Sequence, residues 1–284
     1  MTNIIKAIMN IVENPVSDLG RYSPHSRSSA NSMGDRMEEY IKDVFANTIG
    51  ETDMGKRTTR MAACFSYLGN QNNPPDIILR NGDAIEVKKK ENYSSPLVLN
   101  SSHPKAKLFS DSNMITDACR KCESWREKDI IYAVGVCNGP NKLAHLSFVY
   151  GVDYAASAAI YERIKNTMRE GILSIPDVGF DETTKELGRV NRVDPLGITF
   201  LRIRGIWQME NPTRVFREIY QRDAGKDFSL MAVINTEKYN SFHEKEELER
   251  LANKDQRLKI GDVHIKVPDN PARLKEAKLV TFSL

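Results

Sequence analysis

Long hydrophobic runs are missing from this chain. No stretch of about 18 apolar residues occurs, so nothing in it reads as a membrane span. Cysteine is scarce. Cys64, Cys119, Cys122 and Cys137 are the whole complement, too few and too irregular for a disulfide scaffold. A reducing cytoplasm is the expected setting. Cys119 and Cys122 form a CxxC, but no second CxxC or HxxxH pair joins it to complete a structural zinc site. The pair is expected on a helix between Asn113 and Glu127. Charge of one sign is also missing. The net charge is only +3 over 284 residues, which excludes a histone-like binder. Any DNA surface must come from local clustering. Repeats and low-complexity tracts are absent.

What is present is a mixture of helical and strand periodicities. Ile4, Ile5, Ile8, Ile11 and Val12 fit an amphipathic helix, and the N-terminus reads as that rather than as a signal peptide. Ser23 to Ser32 is polar and reads as a loop or arm. Met37, Tyr40, Ile41, Val44 and Phe45 recur at helical spacing. Asp76–Arg80 and Asp83–Lys89 look like a hairpin through Asn81-Gly82. Strands are expected at Asp129–Cys137, Leu143–Tyr150, Gly197–Gly205 and Phe228–Asn235. Short closing strands are expected at Val263–Val267 and Leu279–Phe282. Helices are expected at Tyr154–Arg169, Thr213–Arg222 and Lys238–Leu251. The expected class is α/β (α+β), a mixed sheet flanked by helices. With no long linker, one domain spanning 1–284 is the default.

The informative segment runs from Pro74 to Lys88. Side chains alternate along a strand, so Glu86 and Lys88 share a face. With a three-residue loop, Arg80 to Gly82, and Gly82 left-handed, Asp76 falls opposite Glu86. With a two-residue turn it falls opposite Val87. Adjacent carboxylates repel unless a cation or proton lies between them. Mg²⁺ suits such a pair, with the Val87 carbonyl as a further ligand. It activates water and neutralises phosphate charge. Lys88 would then orient or deprotonate the attacking water, or stabilise developing charge. The same pattern also fits a surface hairpin with a charged open face.

Pro75-Asp76, nine residues, then Glu86-Val87-Lys88 matches the PD-(D/E)XK nuclease signature. More of the chain resembles the NgoPII family of type II restriction endonucleases. The matching stretches include Gly34–Tyr40, Phe65–Asn70, Asn73–Asp76, Gly82–Lys88, Leu99–Lys105, Lys128–Tyr132, Glu186–Pro195 and Leu201–Trp207. The resemblance reaches to about residue 220 and is weaker over the last sixty. It implies a restriction-endonuclease-like core at about 33–150, with recognition elements at about 100–110 and 185–222. It further implies a homodimer that cuts both strands of double-stranded DNA at a short palindrome, GGCC, using Mg²⁺. A cognate methyltransferase is expected in the same system. Related nucleases often carry one more acid on the N-terminal helix; Glu38 is preferred here and Glu39 is the rival. Another nuclease of this fold, with a different site or a repair role, and a catalytically silent DNA-binding protein are the alternatives.

DNA contacts are expected beyond the metal. Arg202 and Arg204 share one strand face and either read guanine in the major groove or pair with acids or phosphates. Ser101, Ser102 and Lys105 suit phosphate contacts, which position without reading sequence. His103 reads as structural or phosphate-binding. Arg189 and Arg192 flank an expected loop and suit phosphates. Trp207 is expected to pack in the core.

Overall fold

In the computed structural model, residues 2–21, 33–70, 73–139, 141–181, 183 and 186–284 are described. The expected loop at Ser23 to Ser32 lies outside them. The first half contains α1 (Ile4–Glu13), α2 (Met33–Ala46), α3 (Met54–Cys64), β1 (Phe65–Asn70), β2 (Asn73–Leu79), β3 (Ala84–Lys90), β4 (Leu97–Asn100) and β5 (Lys107–Phe109). Next come α4 (Asp117–Lys121), β6 (Glu127–Cys137), β7 (Leu143–Tyr150), α5 (Gly151–Tyr154), α6 (Ala158–Leu173), β8 (Gly179–Phe180) and β9 (Gly188–Asn191). The chain continues through β10 (Leu201–Ile203), β11 (Trp207–Met209), α7 (Pro212–Val215) and β12 (Ser229–Asn235). It closes with α8 (Thr236–Asn240), α9 (Lys245–Lys254), β13 (Leu258–Val267) and β14 (Asn270–Ser283).

Among the described residues, nine strands form one mixed sheet in the order β1-β2-β3-β6-β7-β12-β14-β13, with β5 also pairing β6. The β3–β6 and β7–β12 pairs are parallel and the others antiparallel. β7 is buried at every position, as a central strand covered on both faces must be. One face carries α1 and α2. Asn3 caps α1 by accepting the Lys6 N–H at 3.1 Å, and the Ile4, Ile5, Ile8 and Ile11 side chains are fully buried. The stripe of α2 packs on the same face, with Phe45 edge-on to Phe148 at 5.8 Å. A second apolar cluster fills the other face around Ile78, Ala84, Tyr132, Val134 and Met231. The β8–β9–β10 and β4–β11 pairings form two further, smaller sheets.

Several elements depart from the sequence expectations. Only Asp117–Lys121 is helical around the CxxC, where Thr116 accepts the Cys119 N–H at 3.1 Å. The helix expected from Tyr154 breaks at Ala155, which is extended, and resumes at Ala158. The strand expected over Gly197–Gly205 shrinks to Leu201–Ile203, because only those residues find partners on β9 and Gly197 is left-handed. After Pro212–Val215 the expected helix gives way to turns. The charged helix splits into α8 and α9, with Asn235 capping the first by accepting the Lys238 N–H. The short closing strands are instead one long hairpin, β13–β14, paired from Leu258↔Phe282 to Val267↔Asn270. No described helix is long and apolar enough to cross a membrane.

Candidate active site

The turn between β2 and β3 brings two carboxylates together. Leu79 N–H donates to the Asp83 carbonyl at 3.0 Å and Gly82 N–H to the Leu79 carbonyl at 2.9 Å. The loop is therefore the three-residue one. Ile77 pairs with Ile85 and Ile78 with Ala84, a register that carries Asp76 to Glu86. The left-handed residue is Asn81 (φ 54), not Gly82 as expected. Asparagine is among the few residues that accept this conformation readily. The turn is pinned from outside. Glu123 Oε2 accepts the Asn81 N–H at 3.0 Å, and Lys128 Nζ donates to the Gly82 carbonyl at 2.8 Å while pairing with Glu123.

Ladder pairing between β2 and β3 ends at Ile77–Ile85. Past that point the Val87 N–H donates to Asp76 Oδ2 at 2.6 Å. The N–H and C=O of a strand residue face the same edge, so the Val87 carbonyl is also turned toward the Asp76 side. β1 presses close behind. A Cβ on Gly69 would stand 2.5 Å from the Pro75 carbonyl oxygen and 2.8 Å from that of Asp76. Glycine is thus needed for β1 to lie against this corner. Ile78 and Ala84 belong to the second apolar cluster, and the period of two sends Asp76, Glu86 and Lys88 to that same face.

The electrostatics of the trio follow from burial and proximity. Burial, then the Glu86 carboxylate, push the Asp76 carboxyl up to about 7 against the pull of Lys88 and the Val87 N–H. Glu86 Oε1 accepts from Lys88 Nζ at 2.5 Å, while Glu86 Oε2 is buried with no hydrogen-bond partner. Burial disfavours the Lys88 ammonium, but Glu86 and Asp76 outweigh it and hold its pKa above the usual lysine value. Lys88 is therefore a cation here.

Glu38 on α2 forms an i,i+4 pair with Lys42 at 2.7 Å, and its charge is felt at both Asp76 and Lys88. Glu39 shares Lys42 with it and also pairs with Arg57, each at 3.0 Å. Among the described residues no three His, Cys, Asp or Glu side chains gather tightly enough to enclose a metal. The donor set at this corner is thus two carboxylates and a carbonyl. That suits Mg²⁺, which keeps several waters, better than a cation needing an all-protein cage. The unpartnered Glu86 oxygen and the Asp76 carboxyl, whose ionisation burial and Glu86 disfavour, both fit a cation between them.

Asp76, Glu86 and Lys88 line an open cleft of about 570 Å³ whose wall also includes Ser101, Ser102, Lys105, Arg189, Arg202 and Arg204. Ser102 Oγ is buried without a partner. Burial depresses the Lys105 pKa below the usual lysine value despite the nearby Glu86. Arg189 lies 3.3 Å from Asp181 and 5.5 Å over the Phe200 ring. Arg202 and Arg204 do share a face, and both donate to Glu186. Arg192, left-handed at φ 51, is not among the residues lining the cleft. His103 Nδ1 sits 2.7 Å from the Pro104 carbonyl, so that nitrogen carries the proton. Its ring stacks on Tyr161 at 5.2 Å and meets Trp207 edge-on at 6.3 Å. Trp207 packs beside the cleft rather than in the main core.

Two residues of the cleft went unnoticed in the sequence. Tyr132 sits opposite Glu86 on β6, and its hydroxyl accepts the Lys105 N–H at 2.8 Å and donates to the Lys105 carbonyl at 3.2 Å. It ties the 100–105 loop to the carboxylate strand. In the sequence it reads as one more apolar position in a buried strand. Glu186 is the other; its partners lie 16 and 18 residues away, beyond any local pattern.

A family model described as NgoPII restriction endonuclease matches residues 2–266. The chain is also 54% identical over 282 residues to the type II restriction enzyme NgoPII of Neisseria gonorrhoeae, covering 99% of this chain and 100% of that one. No solved structure matches.

Proposed function

Since the chain belongs to the NgoPII restriction endonuclease family and is a type II restriction enzyme acting on double-stranded DNA, we propose that it hydrolyses both strands at GGCC in a Mg²⁺-dependent reaction centred on Asp76, Glu86 and Lys88. The observation that carries the metal reading is the buried, unpartnered Glu86 Oε2 beside an Asp76 whose negative charge burial and Glu86 both oppose. Asp76, Glu86 and the Val87 carbonyl would hold the ion, which when bound supplies water activation and neutralises charge on the phosphate in flight. Lys88, held cationic by the carboxylates, orients the attacking water and stabilises the charge that develops on the phosphate oxygens. Glu38 adds negative charge behind the pair and is favoured over Glu39, which Arg57 occupies.

DNA lies across the cleft in this reading. Ser101, Ser102, Lys105 and Arg189 take phosphates, Arg192 reaches the backbone further out, and Arg202 and Arg204 read guanines. The catalytic core at about 33–150 and the recognition elements at about 100–110 and 185–222 belong to one cytoplasmic domain. A palindromic target calls for a two-fold partner, so the working unit is a homodimer. The GGCC assignment is carried over from the family resemblance.

The test is a plasmid digest with Mg²⁺ or with EDTA, followed by sequencing of the ends. The expected result is double-strand breaks confined to GGCC, and none with EDTA. Breaks at another sequence overturn the GGCC assignment, and cutting in EDTA overturns the metal. Sedimentation of the purified protein should give the mass of two chains; a monomer on DNA would overturn the dimer.

A further inference from the structure

Glu186 is a buried carboxylate at the base of two exposed cations. Its side chain is 7% exposed, while those of Arg202 and Arg204 are 58% and 59% exposed. All three line the cleft that holds Asp76, Glu86 and Lys88. The β9–β10 pairing fixes the arrangement. Gly188 pairs with Ile203, Arg189 pairs with Arg202, and the Leu187 N–H donates to the Ile203 carbonyl at 2.8 Å. This register brings Glu186 beside the Arg204 end of β10. A single oxygen, Glu186 Oε1, accepts from Arg202 Nε at 2.8 Å and from Arg204 Nε at 2.9 Å, and also from Arg202 Nη2.

The atoms engaged matter more than the pairing itself. Arg204 is held by Nε alone, the inner nitrogen of the guanidinium, and Arg202 by its Nε–Nη2 edge. Among the described residues neither Nη of Arg204 nor Nη1 of Arg202 has a hydrogen-bond partner. Those outer donors are the ones that reach a base edge, where guanine offers O6 and N7. Sharing one oxygen also keeps the two Nε atoms no more than about 5.7 Å apart, given their distances of 2.8 and 2.9 Å to it. Successive bases rise by about 3.4 Å along a strand, so the inner ends of the two guanidinium groups lie within about two base steps of each other. Without the carboxylate, two like charges on one short strand would repel, splay and take up rotamers suited to phosphates.

We propose that Glu186 is a specificity-determining positioning residue. It holds Arg204 by Nε and Arg202 by its Nε–Nη2 edge, so that both Nη of Arg204 and Nη1 of Arg202 are left to face two adjacent guanines of the recognition site. This rests on the reading of the two arginines as base contacts. Glu186 itself touches no DNA. Its role is to keep the arginines off the phosphates and aimed at the bases.

The test uses the full-length protein with Ca²⁺ in place of Mg²⁺, to measure binding without cleavage. Glu186→Ala and the isosteric Glu186→Gln are compared with the unsubstituted protein on a GGCC duplex and on the same duplex with one G·C pair replaced by A·T. Arg202→Ala and Arg204→Ala are run alongside. The expected result for Glu186→Ala is a cognate-to-mismatch affinity ratio at least about tenfold lower, because two bidentate readers lose their aim. Mismatch binding should tighten, with a steeper salt dependence, because two freed cations reach phosphates. Glu186→Gln, which keeps the shape but not the charge, should fall between; it carries the test if the alanine variant fails to fold. An unchanged ratio overturns the proposal. So does equal tightening on both duplexes, which would make Glu186 a competing anion and nothing more. If the arginine variants themselves keep the ratio, the base-contact reading falls. If they lose it while the Glu186 variants keep it, only the positioning role falls.

Discussion

Gly69 offers the most direct test of how closely the site depends on packing. It lies on β1, away from any chemistry, yet a Cβ there would meet the Pro75 carbonyl oxygen at 2.5 Å, the Asp76 oxygen at 2.8 Å and the Asp76 Cα at 3.0 Å. These neighbours are backbone and cannot swing aside as a side chain would. Opening the first contact from 2.5 Å to an ordinary 3.4 Å requires β1 and β2 to part by about 0.9 Å. Most of that motion falls on Asp76, because β2 is free of β3 from Asp76 backwards while Ile77 and Ile78 are tied to Ile85 and Ala84. Overpacking of this kind costs about 1–3 kcal/mol. At roughly 2–4 °C per kcal/mol for a chain of this size, the melting temperature of Gly69→Ala should fall by several degrees. A displacement near 1 Å of a catalytic group costs on the order of 10²-fold in rate. Gly69→Ala should therefore bind a GGCC duplex nearly as well as the parent but cut it about a hundredfold more slowly in single-turnover assays. Full cleavage rate with an unchanged melting temperature would refute the claim that this corner positions Asp76.

Other consequences can be checked separately. Asp76→Ala and Glu86→Ala should each abolish cleavage while leaving DNA binding in Ca²⁺ largely intact; full turnover by either purified variant removes the metal-site argument. In the metal-free protein Asp76 retains a proton up to about pH 7, so an ion that takes the ionised carboxylate displaces that proton below this pH. Apparent Mg²⁺ affinity should rise with pH and level off above about 7, with proton release visible by calorimetry in buffers of different ionisation enthalpy. The same raised carboxyl pKa makes a stability contribution that is present at low pH and lost as pH rises toward 7, and Asp76→Asn should flatten that slope. Glu123→Ala strands the Lys128 ammonium, whose side chain is only 6% exposed, and should cost about 3–5 kcal/mol in urea unfolding. Arg202→Ala and Arg204→Ala should weaken cognate binding more than nonspecific binding; equal losses on both DNAs would make them backbone contacts.

How legible each feature was depended on the range of the interaction behind it. The α2 stripe and the β2–β3 hairpin were readable because both are local. A period of 3.6 fixes which side of a helix is apolar, and a period of two fixes which residues of a hairpin share a face. The Tyr154–Arg169 and Lys238–Leu251 segments have helical composition, yet Ala155 goes extended and the residues after Asn240 turn, because the neighbouring stretches pack on different elements: α5 on β6 and β7, α6 on β9 of a smaller sheet, α8 on β12 and β14, and α9 on β13. The closing strands were read too short because β13 and β14 alternate weakly where one face is open to water. Such a hairpin is fixed by pairing rather than by pattern.

The amino-acid sequence by itself determined the family, the pairing of Asp76 with Glu86 once a three-residue turn was chosen, and the placing of Lys88 on Glu86's face. It also put Arg202 and Arg204 on one side of a strand. The tertiary structure decided what those groups face. It chose between the two turns by pinning Asn81 and Gly82 with Glu123 and Lys128. It buried one Glu86 oxygen without a partner, set Tyr132 under the Lys105 loop, and brought Glu186, in the bend before β9, to both arginines. The reason is physical. Local periodicity dictates direction, whereas burial and charge pairing depend on segments that are distant in sequence and meet only when the chain has folded.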